Sequence, residues 1–232
     1  MTENRIASVS ALSMSYGKTN ALHDVTLNLS GGELIGLTGA NGSGKTTLLK
    51  ILAGLIQAYR GEVCVLGSKD TWVAKEKICY HASHPYFRPD QKIGDAIRMY
   101  ASLRMGYDSD WAKDMFKRFD FDLSVRIGSL SKGRCALALL ILSLSCNAGL
   151  YLLDEPFAGI DIKTRSEMKN VLMDRAASEK TFLIATHELT DMESLFDRFI
   201  VLERGKIIVN DLADQLREEH GCSVTELVRG LL

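Results

Sequence analysis

GANGSGKTTLLKILAG, residues 39–54, follows the apolar run ELIGLT and precedes leucines at helical spacing, Leu48, Leu49, Leu52 and Leu55. Gly39, Gly44, Lys45 and Thr46 fit the pattern G-x-x-x-x-G-K-[ST] between a strand and a helix. The glycines let the backbone curl so that successive N–H groups face one anion. The following helix presents its positive end to the same place. The stretch predicts a phosphate seat lined by Gly39, Asn41, Gly42, Ser43, Gly44, Lys45, Thr46 and Thr47. Lys45 is expected to reach the β- and γ-phosphates of a nucleotide, and the Thr46 hydroxyl to ligate Mg²⁺.

Outward from this loop, strands and helices alternate, which argues for an α/β fold with a mostly parallel core sheet. GLYLLDEPFAGID (149–161) is an apolar strand that ends in two carboxylates. Asp154 is expected to hold Mg²⁺, and Glu155 to polarise an attacking water. TFLIATHE (181–188) ends a further apolar strand with His187, which is expected beside Asp154 on the ligand-binding edge. Residues 5–38 read as short strands with turns, an N-terminal antiparallel β subdomain. RFIVLERGKIIV (198–209) reads as a strand pair. Between residues 84 and 148 the apolar period is helical, predicting an inserted α-helical subdomain. Its second helix, SDWAKDMFKRF, is expected to be capped by Ser109 or Asp110, and its third to span Arg134–Ser145. Further helices are expected over Lys163–Ala177, Leu189–Phe196 and the C-terminal tail. One domain over 1–232 results, with a core lobe of about 1–83 and 149–232.

The chain has 232 residues, 46% hydrophobic and 25% charged, enough for a sizeable core. A formal net charge of -1 gives no field for nucleic acid or an acidic membrane surface. Five widely spaced cysteines, without a Cys-x-x-Cys pair, read as reduced thiols rather than a disulfide or zinc framework. The N-terminal MTENRIASVS lacks the apolar segment of a signal peptide. CALALLILSLSC (135–146) is shorter than the ~20 residues of a spanning helix and reads as a buried one.

SLSKGR (129–134) completes a set that resembles the ABC-type ATPases, with their LSGGQ signature just before the acidic strand. The resemblance covers almost the whole chain and identifies an ABC transporter nucleotide-binding subunit of the P-loop NTPase fold. It implies ATP and Mg²⁺ as ligands, with Lys45, Glu155 and His187 as the hydrolytic residues. Tyr16 resembles the family's adenine-stacking aromatic, and Gly159-Ile160-Asp161 its D-loop. It implies a head-to-tail dimer, a homodimer or a heterodimer with a second ABC ATPase, in which Ser131 and Gly133 meet the nucleotide in trans. It further implies a separate transmembrane permease as partner, no nucleic acid, and a cytoplasmic, peripheral place on the cell membrane. Two positions depart from the family pattern. Lys132 and Arg134 stand where glycine and glutamine are commoner. In ICYHASHPYF, Ser83 stands at the Q-loop's metal-contacting position, with His81 and His84 near it. The segment Ser83–Gly94, with Tyr86 and Phe87, is the expected meeting place with the permease. Soluble ABC ATPases of DNA repair or the ribosome are the alternative, but they carry coiled-coil insertions or a second ATPase domain.

Overall fold

The computed structural model describes residues 5–83, 87–190 and 192–232. Two sheets organise it. Strands β1 (Arg5–Tyr16), β2 (Thr19–Ser30) and β4 (Arg60–Val65) form an antiparallel sheet of order β2-β1-β4. The second sheet runs β5 (Ile78–His81), β6 (Leu150–Asp154), β7 (Thr181–Ala185), β3 (Leu34–Thr38), β8 (Arg198–Glu203) and β9 (Lys206–Leu212). Its pairs are parallel except for β8–β9. Every residue of β3, β6 and β7 is buried. That burial explains why these strands read as continuous apolar runs rather than alternating ones.

Helix α1 (Lys45–Leu52) packs with the antiparallel sheet on one face of the large sheet. α2 (Thr71–Ala74) is a single turn. Between β5 and β6 lie α3 (Ile93–Leu103), α4 (Ser109–Arg118) and α5 (Lys132–Leu144). With α6 (Ile162–Ala176) they share the core on the other face. Two helices, α7 (Ala213–His220) and α8 (Val224–Leu231), form the C-terminal tail.

The cap of α4 is Asp108, one residue before the expected pair. Its Oδ1 accepts from the Trp111 N–H at 3.0 Å, and its Oδ2 accepts from the Arg175 guanidinium at 3.2 Å. A carboxylate serving both an orphan helix N–H and a cation outcompetes the neighbouring hydroxyl. Arg134, in place of the commoner glutamine, stacks on Phe121 at 3.6 Å and donates to the Phe119 and Asp120 carbonyls that end α4. It joins α4 to α5.

The helix expected over Leu189–Phe196 is only a 3₁₀ turn at Glu193–Leu195, and Asp191 lies outside the described residues. Leu189, Met192 and Phe196 flank this turn and are all buried, so the apolar period is satisfied without a helix. The Glu193 carboxylate is instead committed to the tail. It accepts from the backbone N–H groups of Val224 and Thr225 at 2.9 and 3.0 Å, and from Arg217.

Phe87 is half-buried and packs on Tyr100, ring centres 6.1 Å apart, so it belongs to the packing beneath the inserted helices. Tyr86, with His84 and Pro85, lies outside the described residues. His81 does not face the loop with Ser83. It is buried, and its Nδ1 lies 2.9 Å from Ser143 Oγ on α5.

Burial pushes the His81 pKa down to about 4, from an ordinary 6.5. The unfolded chain therefore takes up a proton as pH falls through 6.5, and the folded chain does not until about 4. Stability attributable to this group is full above pH 6.5 and lost across that window, by at most about 1.4 kcal/mol per pH unit. Melting curves between pH 8 and 5 should show a smaller acid loss in His81→Asn than in the wild type. Equal losses would assign the acid sensitivity elsewhere.

Candidate active site

Three strand ends meet at one edge. The register sets Asp154 of β6 beside Ala185 of β7, and Leu37 of β3 on its other side. The glycine-rich loop leaves β3 after Thr38. Glu155 follows Asp154, and His187 follows β7. Because β7 lies between β3 and β6, His187 emerges between the loop and the acidic pair.

The loop's shape is forced. Gly39 has φ 148°, and a Cβ there would lie 2.0 Å from the Leu202 carbonyl oxygen. Gly44 has φ 112°, and a Cβ there would lie 2.4 Å from the Ala21 carbonyl oxygen. A side chain at either position meets both left-handed strain and a backbone atom. Gly44 caps α1 without a side-chain hydrogen bond, and no acidic residue occupies the first turn. The orphan N–H groups of α1 are thus left for an anion. Ser43 Oγ is buried and, among the described residues, has no hydrogen-bond partner. A buried hydroxyl without a partner just before the start of α1 suits a phosphate oxygen.

Lys45 Nζ donates to the Gly39 and Ala40 carbonyls at 2.7 and 3.2 Å, and lies 3.9 Å from Glu155 Oε1. Burial lowers its pKa, while Glu155 and Asp154 oppose that shift. Thr46 Oγ1 donates to Asp154 Oδ1 at 3.0 Å. Asp154 is 1% exposed. Burial raises its pKa; the Thr46 hydrogen bond opposes this, and the Glu155 charge adds to it. A cation at the Thr46–Asp154 oxygens would relieve this desolvation, and hydroxyl and carboxylate oxygens suit Mg²⁺.

Glu155 has φ 51°, a costly conformation for a residue with a side chain. Its Oε1 lies 2.9 Å from His187 Nδ1, and its Oε2 accepts from the His187 backbone N–H at 3.4 Å. Tyr16, 53% exposed, lines a cleft of about 320 Å³ with Asn41–Thr47 and Glu155. The aromatic, the loop and the acidic residue thus line one cleft.

The signature residues are not among those lining this cleft. Ser131 is exposed and caps α5, its Oγ accepting from the Arg134 N–H at 3.3 Å. The smallness of Gly133 has a reason within the chain: a Cβ there would lie 2.8 Å from Thr164 Oγ1 and 3.0 Å from Asp161 Oδ2. Lys132 folds its ammonium toward Gly159, 2.8 Å from where a Cβ would stand. Ser83 is exposed beyond the end of β5 and does not line the cleft.

Sequence reasoning missed Tyr80, whose hydroxyl lies 3.4 Å from Asp154 Oδ2. It also missed Arg165 and Glu188, paired at 2.6 Å beside His187. The first depends on β5 lying next to β6, which no local pattern reveals. Glu188 adjoins His187 in sequence, but nothing there pointed to its partner.

The family model for ABC transporter matches residues 22–158. An uncharacterized ABC transporter ATP-binding protein of Methanocaldococcus jannaschii, MJ1023, is 31% identical over 206 residues, covering 86% of this chain and 75% of its own length. The manganese transport system ATP-binding protein MntB of Bacillus subtilis is 31% identical over 208 residues, covering 84% and 82%. A solved ATP-binding subunit of an ABC transporter superposes with a TM-score of 0.85 at 25% identity, over 97% of this chain and 99% of that one.

Charge-assisted contacts to phosphate contribute about 1.5–3 kcal/mol each, so Lys45→Ala should weaken MgATP binding tenfold or more. Titration calorimetry on the purified chain measures this. Unchanged affinity would remove Lys45 from the phosphate seat.

Proposed function

The chain belongs to the ABC transporter family as an ATP-binding, ATP-hydrolysing subunit, and from this premise we propose how its residues divide the work. Gly39, Asn41, Gly42, Ser43, Gly44, Lys45, Thr46 and Thr47 bind the phosphates of ATP, and Tyr16 stacks on the base. Thr46 and Asp154 hold Mg²⁺, which would offset negative charge on the phosphate chain. Glu155 takes a proton from water as the water oxygen bonds to the γ-phosphorus and the bond to the ADP oxygen breaks. His187 holds the Glu155 carboxylate in place.

The observation that carries this reading is the convergence of Lys45, Thr46, Asp154, Glu155 and His187 at one strand edge, with Ser131 outside the cleft that Lys45, Thr46 and Glu155 line. The chain carries both halves of a composite site. Two copies placed head to tail would complete two sites, each with the seat of one chain and the Ser131–Gly133 turn of the other. Hydrolysis then removes the phosphate that joins them. Glu155→Gln should therefore bind MgATP, accumulate as a dimer and lose most turnover. Near-normal hydrolysis by that variant, or a monomer in MgATP, would sink the assignment.

The domain spans 1–232, its core lobe about 1–83 and 149–232 and its helical subdomain about 84–148. Among the described residues no helix is long and apolar enough to cross a membrane. A separate permease would supply the crossing, with this subunit on its cytoplasmic face. The surface favoured for that contact lies where α2 meets the end of α3. Trp72, Val73, Leu103 and Met105 are exposed there, and Arg104 ties the two elements by donating to the Lys75 and Ile78 carbonyls. An exposed apolar group on a braced junction suits a docking surface. Changing Trp72 and Leu103 to serine should abolish co-purification of the permease while the melting temperature and MgATP affinity stay. Retained permease binding would place the contact elsewhere.

A further inference from the structure

Arg165 lies one turn into α6, just behind the Gly159–Asp161 loop. The loop is fixed to that helix, because Asp161 Oδ1 accepts from the Thr164 N–H at 3.0 Å. The Arg165 side chain is 15% exposed. Its Nη2 donates to the Ile160 carbonyl at 3.2 Å and pairs with Glu188 Oε2 at 2.6 Å. Glu188 is held from its backbone as well, its N–H donating to Thr186 Oγ1 at 3.1 Å. Its other carboxylate oxygen stands 4.0 Å from His187 Nε2, while His187 Nδ1 is 2.9 Å from Glu155.

These groups form one run of neighbours, Ile160 carbonyl, Arg165, Glu188, His187, Glu155, in which Glu188 and His187 are also joined through the backbone. We propose that Arg165 is a positioning residue for hydrolysis, tying the Gly159–Asp161 loop to the Glu188–His187 pair and so fixing where the Glu155 carboxylate stands. Guanidinium suits the role because its planar fork serves a carbonyl and a carboxylate together. The Arg165 guanidinium is the more buried partner, at 15% exposed against 34% for Glu188, so losing Glu188 leaves the buried cation short of its counter-charge. Glu188 directly follows His187 in the chain, so a displaced Glu188 shifts the imidazole that stands 2.9 Å from Glu155. The Ile160 and Glu188 contacts of Arg165 bear on the hydrolytic pair, so its loss should act on turnover more than on binding.

The inference rests on Glu155 and His187 being the hydrolytic pair. The test is steady-state ATP hydrolysis by the full chain for wild type, Arg165→Ala, Arg165→Lys, Glu188→Gln and Arg165→Ala with Glu188→Gln, with melting curves for each. Arg165→Ala should lower kcat roughly tenfold, the scale on which a misplaced reacting group acts. KM for MgATP should stay within about twofold. Arg165→Lys should recover part of the loss. The double variant should be no slower than the slower single one, since both act through one contact. Wild-type kcat in Arg165→Ala, a loss confined to KM, or losses that multiply in the double variant would overturn the proposal. So would a lowered melting temperature with kcat intact, which marks a purely structural pair. Glu155→Gln distinguishes the two failures: turnover retained there refutes the hydrolytic pair, whereas turnover lost there but retained in Arg165→Ala refutes only this inference.

Discussion

The site depends on how closely backbone approaches backbone at the glycine-rich loop. Leu202 of β8 and Ala21 of β2 press their carbonyls to within 2.0 and 2.4 Å of where side chains would begin at Gly39 and Gly44. The turn after β8 completes the clamp. The Gly205 N–H donates to the Ser43 carbonyl at 2.9 Å, and the Gly205 carbonyl accepts from the His23 N–H at 2.8 Å. The loop is thereby held from three elements that lie far from it in sequence. Its donors are set in place before any anion arrives, and preorganised donors need little rearrangement when charge appears.

Around that clamp the charges are arranged at some cost to stability. Burial pushes both Asp154 and Lys45 toward their neutral forms, and Glu155 sits on strained backbone. Each is an unfavourable local choice that a polyphosphate with its cation would offset, which is the pattern expected at a functional site. The Thr46–Asp154 hydrogen bond and the 2.9 Å approach of His187 to Glu155 keep the two carboxylates in separate surroundings. One is buried beside a hydroxyl and suits a metal. The other faces the cleft beside an imidazole and suits a proton transfer.

Much of this was legible from sequence where local chemistry decides. The loop needs its glycines, and the apolar strand delivering Asp154 and Glu155 needs to be buried on both faces; both announce themselves in a few residues. What stayed hidden depends on neighbours distant in the chain. His81 was read near the metal position, yet it turns into the core toward Ser143 of α5. Leu189–Phe196 has helical spacing, but its Glu193 caps a tail helix instead of a helix of its own. The Asp108 cap was displaced by one residue because Arg175, far along the chain, adds its charge there. Gly133, read as room for a phosphate, is also room for the start of α6. The α/β class and the mostly parallel sheet followed from the alternation of elements, whereas the strand order that places Tyr80 beside Asp154 did not.

The central claim is that one chain supplies the phosphate seat and a second copy supplies the signature turn. Ser131→Arg should block the turn and Lys45→Ala the seat, leaving each variant inactive alone. Mixed one to one, random pairing makes half of the dimers mixed, each with one complete site, so about a quarter of wild-type turnover should return. Turnover by the mixture no greater than that of either variant alone would contradict a site shared between two chains.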